Sequence, residues 1–292
     1  MAIGLKMFQK DLKDILEFVS LTGKDASGNA TTKIQEFLLF VDKNKATISI
    51  ITDDESIILK INIDLIAGDG KGEVPIKIPE LLEILKSFNQ KDELELIYDI
   101  VNGAGIISVR RDKPTELSYW YETTAIENIK TTFRQDLPIK YEAEIPIITT
   151  KDKTEIPYKV ALEIDSSEIQ KVFDDAKVIK TYDTYPLSLS SKRLFINIEQ
   201  SRGNKKAKRE IPLKSCKYFK EEETINSDYA SAFSNLFNSF SGEYTLYLTN
   251  NKPIYCLKNT KNYKIKAWLM DATVESRKQE KKNENVVEED VK

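Results

Sequence analysis

Residues 79–99, PELLEILKSFNQKDELELIYD, decide how this chain folds. Leu81, Leu82, Leu85 and Phe88 recur at helical spacing, so 79–89 reads as a short amphipathic helix. After a brief polar turn the pattern switches to the two-residue alternation of a half-buried strand in DELELIYDI. Residues 226–248, NSDYASAFSNLFNSFSGEYTLYL, repeat the device. There Tyr229, Phe233, Leu236, Phe237 and Phe240 form an apolar helical face over 226–240, Gly242 stops it, and an alternating strand follows.

Two further helices belong to the same series. Phe8, Leu12, Ile15, Leu16 and Val19 define one over 8–20. The other opens at Asp165, with Glu168 three residues on as a capping box, and buries Ile169, Val172, Phe173 and Ala176. Each helix is trailed by about three strands rich in Ile, Val, Leu, Phe and Thr, so the unit occurs four times. Units of this kind cannot bury their faces alone, so they pair. The expectation is an α+β fold of two domains, residues 1–121 and 158–274, each with two helices plus antiparallel sheets. Residues 122–157 carry three prolines and no clean period, and read as an interdomain connector. Residues 275–292 are highly charged and read as a disordered tail.

Composition narrows the function. The chain has 292 residues, 40% apolar and 31% charged, with a formal charge of −3. A bulk nucleic-acid coat protein would be strongly basic. There is no histidine, which excludes Ser-His-Asp and Cys-His nucleophiles and His-based zinc sites and argues against an enzyme. Cys216 and Cys256 form neither a metal spacing nor a disulfide framework, as expected in a reducing compartment. No run is apolar enough for a signal peptide or a membrane helix, so the expected location is cytoplasmic, the host cytoplasm if the source is viral. Usage rich in Lys, Asn and Ile suits an AT-rich genome, as in a phage; an archaeal source is the other expectation.

The order of elements resembles a DNA polymerase sliding clamp, of the PCNA family and of the T-even-type phage clamps. The resemblance rests on MFQKDLKDILEFVS near the start, on IPELLEILKSFNQKDELELIYD leading to GIISVRRDKPTELSYWYE, on ALEIDSSEIQKVFDDAKVI after the connector, and on the closing GEYTLYLTNNKPIYCLKNTKNYKIKAWLM. One departure is Leu269-Met270-Asp271, where PCNA has an Ala-Pro pair that helps hold partner peptides.

The resemblance implies a non-enzymatic processivity factor, without metal or cofactor, that encircles duplex DNA as a homotrimeric ring and tethers the replicative polymerase. It implies contact with a clamp loader and a polymerase through short peptides. Helices would line the hole and touch phosphates without sequence preference through Lys10, Lys13, Lys86, Lys91, Lys171, Lys177 and Lys180. Lysine and acid counts on these helices nearly balance, so the same lysines also read as solvated groups. Subunits would meet head to tail at edge strands 116–122 and 193–199, through Leu117, Tyr119, Tyr121, Leu194, Ile196 and Ile198. Partner peptides would enter a pocket of Leu137, Pro138, Ile139, Pro253, Trp268 and Leu269. Trp268 also reads as plain core. The alternative is a monomeric viral-type processivity or DNA-binding factor with the same two-domain fold.

Three other stretches invite a site and read as structure. SRGNKKAKRE (201–210) reads as a solvated hairpin turn rather than a grip on DNA or a loader. GDGKGE (68–73) lacks the full phosphate-loop pattern. TDDES (52–56) reads as a turn between strands rather than a metal site.

Overall fold

Each of the four units begins with a strand that a helix-first reading passes over. A computed structural model describes residues 2–24, 30–31, 33–132, 139–149, 153–179, 184–199, 206–230 and 232–270. The first unit is β1 (Ile3–Phe8), α1 (Gln9–Val19), the small pair β2 (Gly23–Lys24) and β3 (Ala30–Thr31), then β4 (Glu36–Asp42), β5 (Lys45–Ile51), β6 (Ile57–Asp64) and β7 (Ala67–Asp69). The second is β8 (Lys71–Lys77), α2 (Ile78–Leu85), β9 (Glu93–Val101), β10 (Ala104–Arg111) and β11 (Leu117–Glu122). The connecting segment carries β12 (Ile139–Glu142), β13 (Ile145–Thr149) and β14 (Glu155–Pro157). The third unit is β15 (Val160–Asp165), α3 (Ser166–Ile179), β16 (Thr184–Ser190), β17 (Arg193–Glu199), β18 (Lys206–Ile211) and β19 (Ser215–Tyr218). The fourth is β20 (Ile225–Ala230), α4 (Ala232–Ser239), β21 (Glu243–Leu248), β22 (Ile254–Asn259) and β23 (Tyr263–Leu269).

The helix expected over 226–240 is therefore half strand. In β20, Ile225, Ser227 and Tyr229 are buried while Asn226 and Asp228 are exposed, a period of two, and the strand pairs with β16. Tyr229 fits either period, which is why the helical reading absorbed it. The capping box at α3 is half formed. The Ser167 amide and hydroxyl donate to Asp165 Oδ1 at 2.9 and 2.7 Å, but Glu168 pairs with Lys171 instead of reaching back. Pro79 sits in the first turn of α2, where its missing N–H is harmless.

The sheet orders expose the repeat. One five-stranded sheet runs β11-β10-β9-β1-β7, and one four-stranded sheet runs β18-β17-β16-β20. The nine-stranded sheet, β19-β15-β21-β22-β23-β6-β5-β4-β8, is one copy of each kind fused through β23 and β6. That joint is antiparallel, from Tyr263 opposite Ile63 to Leu269 opposite Ile57. The helices lie in the row α2-α1-α4-α3, and α1 meets α4 through Phe18 and Phe240, whose rings are 4.8 Å apart. The main core lies between helices and sheets.

TDDES is the turn from β5 to β6. Burial alone would raise the Asp54 carboxyl, but Lys33, the Ser56 hydroxyl and amide and the Thr52 hydroxyl all donate to it and hold it well below the usual carboxylate range. The chain saturates this carboxylate itself. Asp54→Asn should cost about 1–2 kcal/mol at neutral pH. Because the folded-state pKa is depressed, this stability is present above the unfolded pKa of about 4 and is lost as pH falls. Urea titrations of both proteins at pH 7 and pH 3 check this: the gap between them should shrink in acid.

Candidate functional site

Among the strands that end sheets, two occupy equivalent places. β11 ends the five-stranded sheet and β18 ends the four-stranded one, and neither has a second strand partner among the described residues. The edge expected at 193–199 is corrected by this arrangement. β17 is paired on both sides, by β16 and β18, and Leu194, Ile196 and Ile198 point into the core with no exposure. The true edge comes from the basic run read as a hairpin turn. Residues 206–211 of that run are β18, while 201–205 lie outside the described residues. Residues 208–213, KREIPL, do read as a strand, but their charged outer face gave no sign that this strand, rather than 193–199, ends the sheet.

On β11, Tyr121 is buried, Leu117 and Tyr119 are half-buried, and Trp120 is 73% exposed on the outer face. Sequence reading passed over Trp120, although alternation from buried Tyr121 places it outward. On β18, Lys206, Lys208 and Glu210 face outward. Lys208 lies over the Phe195 ring at 4.2 Å, and Arg209 turns inward to Asp175 of α3. One edge thus offers an uncovered indole and the acids Glu116 and Glu122, the other Lys206 and Lys208 with Glu210 beyond them.

The helix row places Lys10 and Lys13 on α1, and Lys86 and Lys91 just beyond the end of α2. Lys171 and Lys177 stand on α3, and Lys180 lies outside the described residues. Three of these ammonium groups lean on carboxylates of their own helix: Lys13 on Glu17 at 3.6 Å, Lys171 on Glu168 at 2.7 Å, and Lys86 on Glu83. Exposed pairs of this kind are worth about 0.3–0.5 kcal/mol, so a phosphate can replace the carboxylate at little cost. Lys258 of β22 was not singled out from sequence. It sits half-buried near Asp14 and Lys10, and its ammonium donates to the Ser241 carbonyl at 2.6 Å.

The connecting segment covers the outer face of the nine-stranded sheet. Ile139, Ile148 and Ile156 pack on a satellite core of Tyr158, Tyr255, Trp268 and Ile58. Trp268 is 2% exposed and stacks on Tyr255 at 4.8 Å, and the Tyr141 hydroxyl bonds that of Tyr255 at 2.5 Å. The pocket expected from sequence is therefore only partly assembled. Ile139 and Trp268 do meet one core, and Pro253 lies close by, its carbonyl accepting from Tyr158 at 2.9 Å. Leu269 points the other way, into the main core, because neighbours on a strand face opposite sides. Leu137 and Pro138 lie outside the described residues. A cleft of about 410 Å³ that sequence did not reveal opens near the connector, lined by Ile145, Pro157, Tyr158 and Phe219 and rimmed by Glu221 and Glu222.

Two similar halves, with a row of helices on one side and sheets on the other, make this a sliding-clamp fold. The chain has the fold of the PCNA clamps. It superposes on PCNA from Entamoeba histolytica with a TM-score of 0.67 at 12% identity, over 92% of this chain and 98% of that one. It superposes on A. fulgidus PCNA, solved bound to the C-terminal region of FEN-1, with a TM-score of 0.64 at 12% identity, over 92% and 98%. PCNA from Thermococcus kodakaraensis gives 0.65 at 10% identity, over 92% and 99%. No family model matches the chain, and no curated protein matches it in sequence. No helix among the described residues is long and apolar enough to cross a membrane.

Proposed function

We propose that this chain is a DNA sliding clamp: a non-enzymatic ring subunit that threads duplex DNA and tethers a polymerase and other partners. One observation carries the ring. The chain already contains the joint it would make with its neighbours. β23, the third strand after α4, pairs with β6, the third long strand after α1. β11, the third strand after α2, and β18, the third after α3, hold the same places in their sheets and are open. β11 of one copy therefore fits β18 of the next, a head-to-tail contact that repeats until the ring closes. By resemblance to the clamps it closes at three, from two domains per chain bounded near 1–121 and 158–274.

The internal joint also supplies the register. Lys266 faces Leu257, which faces Thr245, and the same ladder in the second unit runs Ser118, Arg110, Glu95. Lys60 faces Ser49 as Lys208 faces Asn197. Lys266 opposite Lys60 then maps to Ser118 opposite Lys208, and Trp268 opposite Ile58 maps to Trp120 opposite Lys206. An indole against a lysine pair supports this assignment. Tyr119 and Leu117 remain in the contact, and β18 replaces β17.

DNA would pass along the helix row and meet Lys10, Lys13, Lys86, Lys91, Lys171, Lys177 and Lys180. With carboxylates beside several of them, contact is weak and salt-sensitive, which suits a topological tether. Replacing Lys10, Lys13 and Lys86 by Glu should lower the low-salt affinity for a short linear duplex about tenfold or more and flatten its salt dependence, while leaving the ring intact. Partner peptides, as with the FEN-1 segment on A. fulgidus PCNA, would dock beside the connector near Ile139 and Pro253.

Light scattering at two salt concentrations tests the reading. A ring gives about 100 kDa, three times the 33.5 kDa subunit, and should be retained on circular but not linear DNA. A monomer at micromolar concentration would instead favour the monomeric processivity factor.

A further inference from the structure

We infer that the outer sheet face beside β12 takes a partner segment that is acidic and extended. This names the chemistry of the partner and rests on the clamp reading of that face as a docking surface. Lys60 of β6 stands directly opposite Lys266 of β23, and Lys264, two residues along on the same face, stands opposite Asn62. Like charges placed opposite each other destabilise a sheet. Neither Lys264 nor Lys266 has a carboxylate within ion-pair distance among the described residues. Burial, then the charges of Lys264 and Lys60, hold the Lys266 ammonium below the ordinary lysine value.

Geometry places a strand acceptor beside these cations. β12 is the outer strand of the connector sheet and pairs only with β13. Tyr141 of β12 is 44% exposed, and the Lys266 ammonium lies 5.9 Å from its ring centre. An extended segment added along β12 would form main-chain hydrogen bonds there. Side chains two apart on such a strand are about 7 Å apart, the spacing of Lys264 and Lys266 on theirs. Acidic residues at those positions would relieve the repulsion, and the residues between them would face away from the sheet. Charge complementarity thus selects an acidic peptide over a basic one.

The test uses the full chain and a short fluorescein-labelled peptide alternating Asp with Thr, its Lys-for-Asp counterpart, and a labelled DNA duplex. The acidic peptide should bind with strong salt dependence and the basic one should not. Lys264→Glu with Lys266→Glu should weaken acidic-peptide binding about tenfold or more, and the milder Lys264→Gln with Lys266→Gln should weaken it less. Melting of the Glu variant should not fall, because it replaces a repulsion by an attraction. Failure of the acidic peptide to bind, equal binding by parent and variants, or loss of duplex binding instead of peptide binding would overturn the proposal. Light scattering on the same samples separates the two claims. Rings without peptide binding end this inference alone, whereas monomers end the ring reading.

Discussion

A chain carrying Ser118→Cys and Lys208→Cys should, on mild oxidation, run on a denaturing gel as a covalent trimer of about 100 kDa, three times the 33.5 kDa subunit. The expectation follows from the repeat. The internal joint places Lys266 opposite Lys60, and equivalent ladder positions carry that pairing to Ser118 and Lys208 on separate subunits. Residues opposite each other in an antiparallel pair have Cα atoms about 4.5–5.5 Å apart, within the span of a disulfide. A one-residue slip moves a side chain to the other face, so Tyr119→Cys with Lys208→Cys should link poorly. Cys216 is partly accessible and should be replaced by Ser in this experiment, while Cys256 is buried. If the Ser118 and Lys208 pair stays at the subunit mass under conditions where light scattering shows a trimer, the ring uses other edges.

Trp268→Ala should lower subunit stability by about 3–5 kcal/mol, whereas Trp120→Ala should leave it nearly unchanged. The two tryptophans occupy equivalent places, on the third strand after α4 and after α2. Trp268 is covered by the connector and stacked on Tyr255, so its removal opens a cavity in the satellite core. Trp120 is 73% exposed in the single chain, so its removal leaves no hole there. Its cost should instead appear in assembly, as a trimer that dissociates at higher protein concentration. Urea unfolding and light scattering on both variants separate the effects. Equal destabilisation by the two substitutions would contradict the assignment of Trp120 to an interface.

Much of the fold was legible because hydrophobic period is written locally. Leu81, Leu82 and Leu85 announced α2, and DELELIYDI announced β9. The helix reading over 226–240 failed where Tyr229 satisfied both periods, and pairing with β16 resolved it. The lysines of the helix row were legible as cations on or beside helices, but the carboxylates beside them are a matter of local geometry. The sheet ends were half legible. LSYWYE, read as an edge, does end its sheet, while KREIPL, read as a strand, gave no sign that it and not the more hydrophobic β17 ends the other.

Sequence by itself determined the repeated unit, the α+β class, the long connector and the exclusion of histidine chemistry, because each depends on residue type and near-neighbour spacing. Tertiary structure decided which strand ends each sheet, which tryptophan is covered, and that Lys60, Lys264 and Lys266 share one face. Those facts depend on pairing between strands roughly two hundred residues apart, β6 and β23 above all. No local pattern encodes which of several similar strands will meet.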